Sequence, residues 1–172
     1  MGAQGLVVML RNVALGLAVS AGALPAGAAS AACRMELAVY GDRDKAATID
    51  FVPRGEGAVS NRFRMLLDND VVLDGIVMWS DAVARPNGML MYKCPEGDVT
   101  GEELAACTVW QGVIYSSDKT GKIDLLPAEG TDAPETLIFP DLAYSLRFSS
   151  AYEQGGFSRL PWDVFALQGC QE

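Results

Sequence analysis

Histidine, the side chain most used for acid–base chemistry near neutral pH, is absent from this 172-residue chain. Its absence excludes a Ser-His-Asp triad, a Cys-His pair and any metal site that needs an imidazole ligand. The chain has 13 Lys and Arg against 22 Asp and Glu, a formal net charge of −9. Such a charge argues against a surface that holds nucleic-acid phosphates, so we expect no nucleic-acid partner.

Paired carboxylates are the acid–base chemistry that stays open to a chain without histidine. Asp68, Asp70 and Asp74 lie close together, but Leu73 and Trp79 stand where a calcium loop needs Gly and Glu. We interpret the first two of these aspartates as part of a hairpin turn. The sequence also lacks nucleophile and phosphate-binding motifs, so we expect no cofactor and no metal site.

The densest group of acidic side chains consists of Glu96, Asp98, Glu102 and Glu103. One or two of these carboxylates would cap a short helix and interact with its dipole. The others could attract a cationic partner through an electrostatically steered encounter. We take the four as the candidate partner-binding residues, with a solvated acidic face as the simpler alternative.

The three tryptophans, Trp79, Trp110 and Trp162, lie in strand-like segments beside apolar neighbours. Exposed tryptophans could stack on sugar rings or contact peptide groups. Because of their apolar neighbours, we expect instead that all three pack in the core.

Residues 1–31 have the pattern of a secretory signal peptide. Arg11 precedes an uncharged apolar run over 13–24, and a proline and a tail of small residues follow. The tail contains two A-x-A patterns, and we predict cleavage after Ala31. One domain, residues 32–172, would then be exported to a bacterial periplasm or the cell exterior, with no membrane span left.

Two alternatives to a cleaved leader are an uncleaved membrane anchor and a lipid attached to Cys33. Pro25 and the small-residue tail argue against an anchor. Ser30 stands where a lipid-attachment signal has a Leu-like residue.

Four cysteines in an exported domain predict two disulfide bonds. Cys94 and Cys107 would close a short loop, while Cys33 and Cys170 lie near the two ends of the predicted domain, and such ends often meet at a surface. We therefore predict the pairs Cys94–Cys107 and Cys33–Cys170. No C-x-x-C pair suggests redox catalysis, and the spacing does not suit a zinc site of four thiolates.

Short strands separated by turn signals account for most of residues 32–172. Thr48–Val52 and Arg62–Leu67 alternate between apolar and polar residues, the period of a half-buried strand. Val71–Trp79 is predicted as a long strand in which Gly75 marks a bulge or a close approach.

Other segments carry more specific signals. The pattern Thr-x-x-Glu at 100–103 is a capping box and predicts a short helix near 101–107. Arg-Pro-Asn-Gly at 85–88 predicts a tight turn. Residues 108–116 are β-branched and aromatic and are predicted as one strand. Residues 142–150 fit either a helix or a strand, and their β-rich surroundings favour a strand.

About eight or nine short strands and one helix predict a mainly β fold, an antiparallel sandwich or a small closed barrel. We expect an exported, non-enzymatic domain that binds a protein or an envelope component. Its acidity favours a cationic partner, such as a hydrolase that it inhibits. The alternatives are a carrier of a small apolar ligand inside a barrel and a glycan hydrolase that uses two carboxylates.

Overall fold

The computed structural model describes residues 1–2, 32–55 and 58–172. The predicted signal peptide falls on residues 1–31 and so lies, apart from its first two residues, outside the described part of the chain. No helix within the described residues is long and apolar enough to cross a membrane.

One antiparallel sheet dominates the fold. In chain order its ten strands are β1 (Ala38–Asp42), β2 (Ala47–Val52), β3 (Val59–Leu67), β4 (Val72–Ser80), β5 (Arg85–Met91), β6 (Thr108–Gly112), β7 (Tyr115–Ser117), β8 (Ile123–Leu125), β9 (Thr136–Ile138) and β10 (Val164–Cys170). The helices are α1 (Gly101–Cys107), α2 (Leu142–Arg147) and α3 (Ser150–Gly155), and a 3-10 turn, Met35–Leu37, precedes β1. The fold is mainly β, as predicted, with ten strands where eight or nine were expected.

The strand order is β6-β5-β4-β3-β2-β1-β10-β9-β7-β8. The first six strands follow one another as a meander, because each strand is hydrogen-bonded to the next one in the chain. The last strand, β10, then pairs with the first, β1, in the middle of the sheet. These two neighbouring strands are therefore far apart in sequence.

The connection between β6 and β7 requires the sheet to curl. Two residues join these strands, which stand eight positions apart in the sheet order. In a flat sheet eight strand spacings are about 38 Å, whereas the three Cα–Cα steps of this connection reach at most about 11 Å. One face of the sheet therefore becomes the inside of a curl. Within the described residues no ladder joins β6 to β7 or β8, so the sheet described is an open curl.

Phe139, which follows β9, lies at the centre of the core inside this curl. Its ring centroid is 5.8 Å from that of Phe63 on β3, 5.3 Å from that of Trp110 on β6 and 5.5 Å from that of Phe165 on β10. All four side chains are buried. The indole N–H of Trp110 also donates to the carbonyl of Pro140, at 2.9 Å. Strands from distant positions in the sheet are thus joined by one aromatic cluster.

Both predicted disulfide bonds are present. Cys33 is bonded to Cys170 and Cys94 to Cys107, with Cα–Cα distances of 5.6 and 5.2 Å. A disulfide-bonded Cys33 has no thiol to which a lipid could be attached. Disulfide bonds persist in oxidising compartments, so the two pairs favour an exported location.

Helix α1 and the predicted alternation of β3 are also confirmed. Thr100 and Glu103 form the capping box reciprocally, as the sequence predicts. In β3 the side chains of Phe63, Met65 and Leu67 are buried, while the residues between them are exposed.

The strand predicted over residues 142–150 is wrong, because α2 and the start of α3 occupy this segment. A helix buries Leu142 and Leu146, which are four residues apart, completely. The aromatic rings of Tyr144 and Phe148 then lie on the exposed side, each 70% exposed. In a strand, Tyr144 and Phe148 would point to the same face as Leu142 and Leu146, and both rings would be buried with them. The core is already filled by the aromatic cluster around Phe139 and has no room for two more rings.

Two further predictions of local structure are wrong. The turn expected at 85–88 lies at 81–84, and residues 85–88 belong to β5, where Pro86 is opposite Trp79. Proline is tolerated there because the ladder between β5 and β6 begins only at Gly88. The single strand expected over 108–116 is divided into β6 and β7, since the curl of the sheet gives its two halves different partners.

Gly75 confirms the predicted close approach and yields a stability prediction. A Cβ at this position would lie 2.4 Å from the ring of Phe63, which is buried. We expect Gly75→Ala to lower the free energy of unfolding by about 1–3 kcal/mol, since the ring cannot move without disturbing the core. Urea denaturation measures this change.

Gly169→Ala is the matched control, because Gly169 also lies in a strand but an added Cβ there has no atom within 4 Å. Equal effects of the two substitutions would contradict the close approach.

Candidate functional site

A groove of about 720 Å³ crosses the outer face of β2, β1, β10 and β9, opposite the core. Thr48 is paired with Gly41, Gly41 with Ala166, and Ala166 with Thr136. The register therefore places four small residues in one row across four neighbouring strands, and this row is the floor of the groove. The volume is within the range of ligand sites, and three further depressions on the described surface have volumes of about 390, 250 and 200 Å³.

Gly41 keeps the middle of this floor open. It is not among the described glycines with positive φ, so its backbone conformation does not require glycine. A Cβ at Gly41 would lie 3.3 Å from Cγ of Gln168, whose side chain forms one side of the groove. Glycine inside a strand has a cost in stability and often marks a place where a ligand or another backbone comes close.

Trp162 lines the groove at the end that lies away from Gln168. Its side chain is 44% exposed, and the guanidinium carbon of Arg43 lies 3.3 Å from the ring centroid. The indole N–H donates to the carboxylate of Asp44. The ring is therefore fixed in position by two residues of the turn between β1 and β2.

The core position predicted for the tryptophans is correct for Trp110 and wrong for the other two. Trp110 is 3% exposed, whereas Trp79 is 58% and Trp162 44% exposed. Trp79 shares the core-facing side of β4 with Leu73 and Val77 but lies at the end of the strand, where it stays exposed. Trp162 lies on the outer side just before β10. Apolar neighbours in sequence cannot reveal the exposure of Trp162, because in a strand the next residue points to the other face, nor can they reveal where along β4 the core ends.

The buried carboxylate of Asp42 organises this end of the groove. One oxygen accepts hydrogen bonds from the backbone N–H groups of Ala46 and Ala47, at 2.7 and 3.0 Å. The other oxygen accepts from the backbone N–H groups of Asp44, at 3.3 Å, and Trp162, at 3.5 Å. Asp42 thus connects the β1–β2 turn to the segment that carries the exposed indole.

A second residue supports the same turn from outside. The guanidinium of Arg159 donates to the backbone carbonyls of Asp44, at 3.3 Å, and Lys45, at 3.1 Å. Lys45 itself has a φ of 53° and an exposed side chain that lines the groove. Among the residues that the structure describes, no carboxylate lies within ion-pair distance of Lys45.

The four acidic residues singled out in the sequence lie elsewhere. Glu96, Asp98, Glu102 and Glu103 are all exposed on the segment closed by the Cys94–Cys107 bond, and none of them lines the groove. Glu103 is used locally. Hydrogen bonds from the backbone N–H and the hydroxyl of Thr100 hold the pKa of its carboxyl below the usual range.

The Asp68–Asp70 segment is the turn that the sequence predicts. The backbone N–H of Leu67 donates to the carbonyl of Val71 across this turn, at 2.8 Å. Asp68 accepts hydrogen bonds from the hydroxyl and the backbone N–H of Ser158, which lower the pKa of its carboxyl. Within the described residues no cluster of Cys, Asp and Glu is arranged to hold a metal ion.

No protein-family model, no curated protein and no solved structure matches this chain. The functional argument therefore rests on the geometry of the groove and on the chemistry of the residues that line it.

Lowered carboxyl pKa values make the stability of the fold sensitive to acid. The pKa values of Asp68, Glu103 and Asp118 all lie below their usual range, because each carboxylate accepts hydrogen bonds in the folded state. Such groups stabilise the fold above their unfolded pKa, near 4, and this contribution is lost as the pH falls towards the folded value. We expect a constant free energy of unfolding from about pH 7 to pH 5 and a decline below about pH 4.

Asp68→Asn tests this dependence. The variant should be less stable at pH 7, and its stability should fall less steeply below about pH 4, because one titrating group is gone. Denaturant titrations at several pH values measure both effects. The control is Asp70→Asn in the same turn, which lacks the bonds to Ser158. An unchanged acid slope in Asp68→Asn would refute the role of this carboxylate.

Proposed function

We propose that this chain is an exported, non-enzymatic domain that holds an extended component of the cell envelope in the groove over β2, β1, β10 and β9. The observation that carries the proposal is the row of small residues in which Gly41 holds an inner position. A glycine that the backbone conformation does not need leaves open a surface that a larger residue would fill. The two disulfides and the predicted leader favour a periplasmic or extracellular location.

The lining of the groove suits a chain of linked rings with hydroxyl groups. The exposed part of Trp162 that Arg43 does not cover offers an aromatic surface for the apolar face of a ring. The hydroxyls of Thr48 and Thr136 and the amide of Gln168 can donate to and accept from ligand hydroxyls. Four strands side by side give the floor a length of about 14 Å, enough for more than one sugar ring. The envelope component that fits best is therefore a glycan chain.

The number and surroundings of the carboxylates in the groove suit binding and do not suit hydrolysis of a glycan. A glycan hydrolase needs two carboxyl groups about 5–10 Å apart on either side of the bond that is cleaved. Asp42 is the one carboxylate that lines the groove among the described residues, and its oxygens accept four backbone hydrogen bonds. A carboxylate so fully engaged in holding a turn is poorly placed to transfer protons.

The structure gives less support to a carrier of an apolar ligand than to a domain that binds its ligand in the surface groove. A carrier needs a cavity inside the curl. The described core instead fills this space with side chains, and Phe139 at its centre has no exposed surface.

The acidic segment between Cys94 and Cys107 remains a second candidate surface, for a cationic protein such as a hydrolase that it inhibits. Glu96, Asp98 and Glu102 are exposed and form no ion pair with a described Lys or Arg, so their charge is not neutralised locally. If this surface is used, a partner captured from an envelope extract should be released by about 0.5 M salt. It should also be lost with the double substitution Glu96→Lys and Asp98→Lys. Retention unchanged by that variant would count against this surface.

Gly41→Val tests the groove without weakening the sheet. Valine is a good strand former, so we expect stability to be kept or raised by about 0.5 kcal/mol as the exposed Gln168 moves aside. The valine side chain fills the floor, and binding to insoluble envelope glycan freed of protein and lipid should fall at least about tenfold. Co-sedimentation of the protein, produced from its full sequence in an exporting bacterial host, measures this binding.

Gly169→Val is the matched control, since this glycine is also in a strand and does not line the groove. It should bind like the unchanged protein. Equal binding by Gly41→Val and the unchanged protein would refute the groove as the site.

A further inference from the structure

We infer that the glycan chain bound in the groove carries carboxylate groups, one of which is held by Arg43 and Lys45. This inference rests on the proposed function and names the chemical class of its ligand. The chain as a whole is acidic, so two cations at one end of its groove require an explanation of their own.

The guanidinium of Arg43 is held in an orientation that suits the binding of a planar anion. Its guanidinium lies against the indole of Trp162, yet 66% of its side chain is exposed. Stacking uses the face of the guanidinium and leaves its N–H groups in the plane. The guanidinium forms an ion pair with the carboxylate of Asp44, with 3.8 Å between Nε and Oδ1. Within the described residues its two Nη groups have no hydrogen-bond partner, and from this fixed position they match a carboxylate in two-point geometry.

Lys45 adds a second positive charge on the same turn. Its side chain is exposed and lines the groove, and its backbone lies in the left-handed region with a φ of 53°. Hydrogen bonds from the side chain of Arg159 to the backbone of the turn, and from the backbone of the turn to the side chain of Asp42, hold it in place. Both cations are thus presented by a braced loop, which reduces the entropy that a ligand must remove on binding.

Two aspartates lie at the same end, and the formal charges of Arg43, Lys45, Asp42 and Asp44 cancel. The availability of the four groups differs, however. Asp42 is buried and accepts four backbone hydrogen bonds. Asp44, with 61% of its side chain exposed, accepts the indole N–H of Trp162 and forms an ion pair with Nε of Arg43. Both carboxylates are therefore engaged within the protein, while the Nη groups of Arg43 and the ammonium of Lys45 are open to a ligand.

A carboxylated glycan uses the groove more fully than a lipid phosphate does. A phosphate headgroup would occupy only the end with the two cations and leave the row from Thr48 to Thr136 uncovered. A glycan chain places a carboxylate at that end and lays its rings along the floor. The class we assign is therefore a saccharide with carboxylates along its chain.

The experiment compares oligosaccharides of equal length with and without carboxylates. Calorimetric titration of the full-length exported protein with oligogalacturonate and with a neutral β-linked glucose oligomer gives the two affinities. We expect the acidic oligomer to bind at least about tenfold more tightly at about 50 mM salt, and this preference to shrink at about 500 mM. Arg43→Gln and Lys45→Gln should each reduce the preference, while Lys119→Gln, an exposed lysine outside the groove, should leave it unchanged.

Each other outcome overturns the inference in a recognisable way. Equal binding of both oligomers, lost with Gly41→Val, would leave the proposed function standing and refute the acidic class. Tighter binding to vesicles with anionic phospholipid than to any oligomer, lost with Arg43→Gln, would assign the two cations to a lipid phosphate instead. If neither oligomer binds while envelope glycan still sediments the protein in a Gly41-dependent way, the class is wrong and the groove is right. If nothing binds, the proposed function falls as well.

Discussion

The two-residue connection between β6 and β7 is the constraint on which the rest of the structure depends. It joins strands from opposite parts of the sheet order, so the sheet has to curl and one of its faces becomes an interior. That interior is filled by buried apolar side chains around Phe139. Because the inner face is used for folding, a ligand has the outer face available, and this is where the groove lies. The architecture thus separates the surface that stabilises the fold from the surface that we propose binds.

Asp42 is where these two surfaces meet. Its position at the end of β1 points its carboxylate inward, and most acidic side chains would be destabilising there. Four backbone N–H donors satisfy it, and they belong to the β1–β2 turn and to the residue that begins the approach to β10. One buried charge therefore fixes the relative position of Arg43, Lys45 and Trp162. Hydrogen bonds between Asp42 and the backbone fix the shape of the β1–β2 turn, and this shape positions the side chains of Arg43 and Lys45.

Local patterns in the sequence predict those parts of the fold that depend on neighbours in the chain. The alternation of β3, the capping box of α1 and the short Cys94–Cys107 loop are of this kind. The Cys33–Cys170 pair was predicted from a general tendency of domain ends to meet. The groove was not predictable, because its floor is built by pairing residues 41, 48, 136 and 166, which no local pattern connects. The exposure of Trp162 and the helices after Pro140 are also not predictable from local patterns. They depend on the fact that residues from other segments fill the core.

The pairing of β1 with β10 also has a mechanical consequence. Ala38 at the start of β1 lies opposite Cys170 at the end of β10, and the disulfide bond links Cys170 to Cys33, five residues before Ala38. A force that pulls the two ends of the domain apart is then carried by a covalent bond, and the hydrogen bonds between β1 and β10 carry little load. The domain can therefore be pulled from either end without separating these two strands of its sheet.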